Sequence, residues 1–78
     1  MKKSECEALI NSKNHLIGTV VEIIRGRKTK TKIKGVVVKI YCVCFTEVDG
    51  TTKKENCKAI AIINQNGKAI KVSVNELP

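Results

Sequence analysis

Arg25, Arg27, Lys28, Lys30, Lys32 and Lys34 place six basic residues in ten positions with no acid among them. This is the densest chemistry in the chain. Lys28, Lys30, Lys32 and Lys34 alternate with Thr29, Thr31 and Ile33. In an extended backbone, alternate side chains leave one edge about 7 Å apart. A comb of that kind can follow a phosphate backbone. Lysine acts there as a flexible point charge, whereas Arg25 and Arg27 offer forked donors for a phosphate or a guanine edge. Lys39 adds a further cation after the second glycine of the stretch, Gly35. The competing reading is a solubilising loop whose lysines block edge-to-edge pairing of strands.

The remaining reactive residues are sparse. Cys42 and Cys44 lie one residue apart, with Cys6 and Cys57 elsewhere. That spacing is not the C-x-x-C of a zinc knuckle, although Cys42, Cys44 and Cys57 would converge around a tight hairpin. The four cysteines are expected to be reduced, with Cys42 and Cys44 as small buried hydrophobes. No metal and no cofactor is expected. His15, the single histidine, reads as a linker residue. Glu47, Asp49 and Glu55 read as a solvated charged turn with Lys53 and Lys54. No Gly-rich phosphate loop is present. No nucleophile–base pair stands out, so the chain is expected not to be an enzyme. The only aromatics are Tyr41 and Phe45. They read as core, which shifts the expectation away from base stacking and toward structured RNA, duplex or backbone contacts.

The elements that position these residues follow from patterning. Residues 4–14 are predicted helical, with Ser4 and Glu7 as a capping box and Cys6, Leu9, Ile10 and Lys13 along one stripe. After Gly18, Thr19–Arg25 alternates with Val21 and Ile23 on one face. Gly35–Phe45 reads as a longer strand. Its Val36, Val38, Ile40, Cys42 and Cys44 share one face, and Val37, Lys39, Tyr41, Val43 and Phe45 share the other. Asp49-Gly50 is a hairpin signal. Lys58–Asn64 and Lys68–Val74 form a last pair joined near Asn64-Gln65-Asn66-Gly67. About five short strands with regular turns predict a small closed barrel, which removes exposed strand edges. The domain reading is a helix and linker over 1–17 and a β-barrel over 18–78.

Seventy-eight residues with 15 Lys/Arg against 7 Asp/Glu give a net charge of +8. One small domain of that charge favours a polyanionic partner. Glu5 and Glu7 follow Lys2-Lys3 where a signal peptide needs an apolar run. No apolar run reaches membrane-spanning length either. The expected setting is cytoplasmic, with no membrane partner.

Val21-Glu22-Ile23-Ile24-Arg25-Gly26 followed by Gly35-Val36-Val37 resembles the KOW motif of SH3-like barrels. The Arg25-Gly26-Arg27-Lys28 run also looks like small phage and bacterial barrel proteins. The stretch from Gly26 to Gly35 is longer than the family's loop and has Thr31 or Lys32 near where the family carries a glycine. The resemblance implies a five-stranded SH3-like barrel whose loop contacts RNA, DNA or a nucleoprotein complex. It assigns that contact to Arg25, Arg27, Lys28, Lys30, Lys32 and Lys34, with help from Lys39. The alternative expectation is a protein-interaction domain, such as a phage or mobile-element effector, that binds an acidic partner surface.

Overall fold

Alternating β-branched residues dominate the chain after Gly18, and the fold is mainly β. A computed structural model describes residues 1–78. Helix α1 (Lys3–Lys13) is followed by a short 3-10 turn (Asn14–Leu16). Four strands come next: β1 (Val20–Arg25), β2 (Thr31–Asp49), β3 (Thr52–Gln65) and β4 (Lys68–Ser73). A second 3-10 turn (Val74–Glu76) follows β4. The strands form one antiparallel sheet in the order β1-β2-β3-β4.

This corrects the expected five-stranded closed barrel. The predicted breaks after Phe45 and before Lys58 do not occur. β2 and β3 run on through polar residues to a two-residue turn at Gly50-Thr51, with Asp49 opposite Thr52. The sheet stays open because β1 pairs only with Thr31–Val36 of β2, and β4 only with Ile60–Gln65 of β3. It nevertheless curls. Arg25 Nε, at the end of β1, lies 3.2 Å from Glu76 Oε1 in the turn after β4, so the two outer strands meet at that corner. The far half of the β2–β3 hairpin projects, giving extents of 45 × 31 × 20 Å.

Two local features set this shape. At Gly35 a Cβ would collide with the backbone carbonyl of Asn64 and come within 2.8 Å of Ile63 Cγ2. Glycine alone lets the two backbones approach this closely. Just beyond, the β2–β3 register shifts between Val37 and Lys39, leaving Val38 as an extra residue. Such a bulge bends the strand and reverses which side chains face inward. Directly after this end of β3, Asn66 and Gly67 both take positive φ (52° and 85°). That is the backbone of a tight hairpin turn, and it confirms the expected junction of the last strand pair.

The bulge overturns the facial assignment predicted for β2. Before it, Ile33 and Val37 point inward with Val21 and Ile23 of β1. After it, Ile40, Cys42 and Cys44 point inward, opposite Ala61, Ala59 and Cys57 of β3. Val36 and Val38 are exposed rather than inward. The core is completed by Ile63, Val72, Val74 and Leu77, with Leu9, Ile10 and Leu16 packed against it.

Helix α1 lies on this inner face. It has no side-chain N-cap, so the expected Ser4–Glu7 capping box is absent. A capping box forms instead at the second 3-10 turn. There Ser73 Oγ accepts from Asn75 N, and Glu76 Oε2 accepts from Ser73 N at 3.2 Å. An uncapped helix of three turns is marginal in water and needs a tertiary anchor. Cys6 provides it through a disulfide to Cys42. Cys44 and Cys57, directly opposite in the β2–β3 register, form a second disulfide. All four cysteines are therefore paired, which corrects the expectation of reduced thiols. No helix is long and apolar enough to cross a membrane.

Candidate nucleic-acid interface

The basic stretch divides between a loop and a strand. Gly26–Lys30 connects β1 to β2, and the strand resumes at Thr31, earlier than the loop end predicted at Gly35. Arg27, Lys28 and Lys30 are exposed on that loop. Lys32 and Lys34 stand on β2, on the outer face of the sheet. Lys34 lies opposite Glu22 in the β1–β2 register. Lys32 Nζ is 3.1 Å from Glu22 Oε1. Arg25 points toward the inner side, where its guanidinium meets Glu76. Glu76 uses its other oxygen on the Ser73 amide, so the pair also fixes the corner between β1 and β4. Two of the predicted cations are thus matched by carboxylates. Arg27, Lys28, Lys30, Lys34 and Lys39 have no acidic partner.

Lys39 belongs to a second surface, which the sequence reading missed. Past the bulge, Lys39, Tyr41, Val43 and Phe45 stand on the outer face of β2. Ile62, Ile60, Lys58 and Asn56 lie opposite them on β3. Lys71 and Ser73 of β4 extend the face beyond Ile62 and Ile60. The helix and the core occupy the other side, so no element of the chain covers this one. Tyr41 and Phe45 are only partly buried, and Val43 is exposed. The expected core role of the two aromatics is therefore corrected: the shift at Val38 turned them outward.

Each ring is accompanied by an ammonium group. Lys39 Nζ lies 5.1 Å from the Tyr41 ring centroid, and Lys58 Nζ lies 5.7 Å from that of Phe45. Cation–π contacts on an exposed face contribute about 0.5–1 kcal/mol, so these lysines can be drawn away cheaply by a stronger anion. Lys58 and Lys71 also line an open cleft of about 430 Å³ at the free edge of β3, together with Arg25, Met1 and Asn75. The cleft is lined by three cations and no carboxylate.

The cysteine cluster offers less. Cys44, Glu55 and Cys57 have ligand-type atoms within 4.8 Å of one another. Both sulfurs are committed to a disulfide, which leaves no thiolate to hold a metal. His15 is exposed in the turn after α1. Glu47 lies opposite Lys54 in the ladder near the hairpin tip, as a solvated charged turn requires.

Loop and sheet face together define a small mainly-β protein with an open, basic outer surface. No protein-family model, curated protein or solved structure matches the chain.

Proposed function

We propose that this protein is a non-catalytic nucleic-acid-binding module whose β1–β2 loop contacts phosphates. The observation that carries the reading is the five unpaired cations, Arg27, Lys28, Lys30, Lys34 and Lys39, on the loop and the adjoining outer face. Binding through unpaired surface cations needs no deep pocket, because released counterions supply the affinity. The long bent β2, the curl of the sheet and the basic first hairpin support an SH3-like scaffold of the KOW type, left open between β1 and β4. RNA, DNA and a nucleoprotein complex are the partner class. The paired cysteines favour an oxidising compartment over the cytoplasm as the setting for this binding.

The test is a mobility-shift panel of duplex DNA and structured RNA across a salt series. Wild-type protein is expected to retain both at low salt. A Lys28→Glu/Lys30→Glu variant is expected to lose that retention while keeping its fold. Absence of any retention by the wild-type protein at low salt would refute the reading. The alternative, binding to an acidic protein surface, is favoured if a single protein partner is recovered after nuclease treatment and lost on the same charge reversal.

A further inference from the structure

We infer that the outer face of the β2–β3 hairpin is a second binding surface, specific for single-stranded nucleic acid, with bases stacked on Tyr41 and Phe45. The inference rests on the proposed function and narrows its ligand class. It starts from the register: Tyr41, Val43 and Phe45 follow one another along one face of β2, with no element of the chain packed over them. Successive positions on that face are about 6.7 Å apart, so the two rings are separated by about 13 Å along the strand. Val43 between them keeps the floor apolar, and Ile60 and Ile62 extend it onto β3.

Charge selects the occupant. Lys39, Lys58 and Lys71 stand on this face, and no carboxylate stands between Lys39 and Phe45 or opposite them on β3. The acids of the face, Glu47 and Asp49, lie beyond Phe45 toward the hairpin tip. Two rings, each with its own ammonium, match a ligand that repeats a planar ring and a phosphate. When a base lies on the ring, the flexible lysine moves from the π face to the adjoining phosphate. A duplex cannot use this floor, because its bases are already stacked and paired. A single strand can, and aromatic platforms accept any base. Lys34, outward on β2 before the bulge, places the face next to the basic loop. One strand could therefore engage both.

The chain supplies its own reporter. Tyr41 is the sole tyrosine, and tryptophan is absent. Intrinsic emission therefore reads this surface alone. The experiment titrates the full chain with a mixed-sequence 12-nucleotide single strand and with the matched duplex. Tyrosine emission and a labelled-oligonucleotide anisotropy are followed together. The single strand is expected to quench Tyr41, and the duplex to leave it nearly unchanged. Tyr41→Leu and Phe45→Leu retain apolar bulk on a face outside the core. Each is expected to weaken single-strand binding by roughly 5- to 150-fold, the range of one lost base stack, with duplex affinity unchanged. Circular dichroism before and after reduction checks that both variants keep the sheet. If single-strand binding survives both substitutions but falls with Lys28→Glu/Lys30→Glu, the stacking surface is overturned and the phosphate-binding loop stands. If neither nucleic acid binds, both readings fall.

Discussion

Salt dependence gives the sharpest test of the basic loop, because the structure sets how many charges are available. Of the seven cations that the sequence singles out, Arg25 and Lys32 face Glu76 and Glu22, leaving Arg27, Lys28, Lys30, Lys34 and Lys39. Five phosphate contacts on duplex DNA predict a slope of log K against log salt of about −4.5. Affinity should then fall about 500-fold between 50 and 200 mM salt, taking that slope over a fourfold rise in concentration. A Lys28→Ala/Lys30→Ala variant removes two contacts and should bring the slope to about −2.7, a fall of only about 40-fold. The loop lysines are exposed and outside the core, so the variant should keep the wild-type melting temperature.

The ion pairs supply an internal check. The side chains of Lys32 and Glu22 are 63% and 45% exposed, so their pairing stabilises the fold by at most about 1 kcal/mol. Neutralising the acid, by Glu22→Gln, frees Lys32 for a phosphate. The slope should steepen by about 0.9, to roughly −5.4, with little change in stability. Lys2→Ala/Lys3→Ala, at the start of the helix on the opposite side, should leave the slope unaltered. Fluorescence anisotropy at four or five salt concentrations measures all four slopes. A wild-type slope shallower than about −2 would refute the count of available charges. So would equal slopes for wild type and the lysine double variant.

Three further outcomes concern the fold. Removing Cys6–Cys42 by a double alanine substitution opens a 36-residue loop and should cost about 4 kcal/mol in urea unfolding, against about 3 kcal/mol for the 13-residue Cys44–Cys57 loop; a denatured, unreduced sample should show no alkylatable thiol, and free thiols would contradict the pairing. Gly35→Ala drives a methyl group into the Asn64 carbonyl and should destabilise by about 1–3 kcal/mol, whereas an unchanged urea midpoint would show that the two backbones do not approach. Ile63→Ala empties a fully buried position between the two halves of the core and should cost about 2–5 kcal/mol by the same assay.

The parts of this molecule legible in the sequence are those fixed by neighbouring residues. Val21 and Ile23 do face inward, Asn66-Gly67 does turn, and Asp49 does open the β2–β3 turn, because these depend on local period and backbone angle. The loop cations were legible as a cluster. Their pairing with Glu22 and Glu76 was not, since Glu76 is 51 residues from Arg25. The largest misreading came from one residue. A period-2 pattern carried through Val36, Val37, Val38 and Lys39 assumes an unbroken ladder, and nothing in three successive valines marks which one is extra. That single insertion separated Tyr41 and Phe45 from Val37, which stays in the core. It left Ile40, Cys42 and Cys44 inward while turning Val36 and Val38 out. The disulfides were hidden for a related reason. Pairing Cys44 with Cys57 requires the β2–β3 register, and pairing Cys6 with Cys42 requires knowing which face the helix covers.

These two misreadings have a common physical origin. A 78-residue sheet with one short helix can cover only one of its faces. Its buried set is twelve residues, eight of them no larger than valine, so burial alone gives limited stability. Cross-links let such a chain hold together without wrapping both faces, since each constrains the unfolded state rather than adding core volume. The Cys6–Cys42 bridge fixes the helix to one side, and the Cys44–Cys57 bridge holds the projecting hairpin in register. The opposite side is thereby released from any packing role. Large partly exposed rings flanked by lysines would be a solubility liability on a face that merely lacked cover. On a cross-linked hairpin they can be kept in place for a ligand, so reducing the disulfides should weaken single-strand binding at the face before it weakens phosphate binding at the loop.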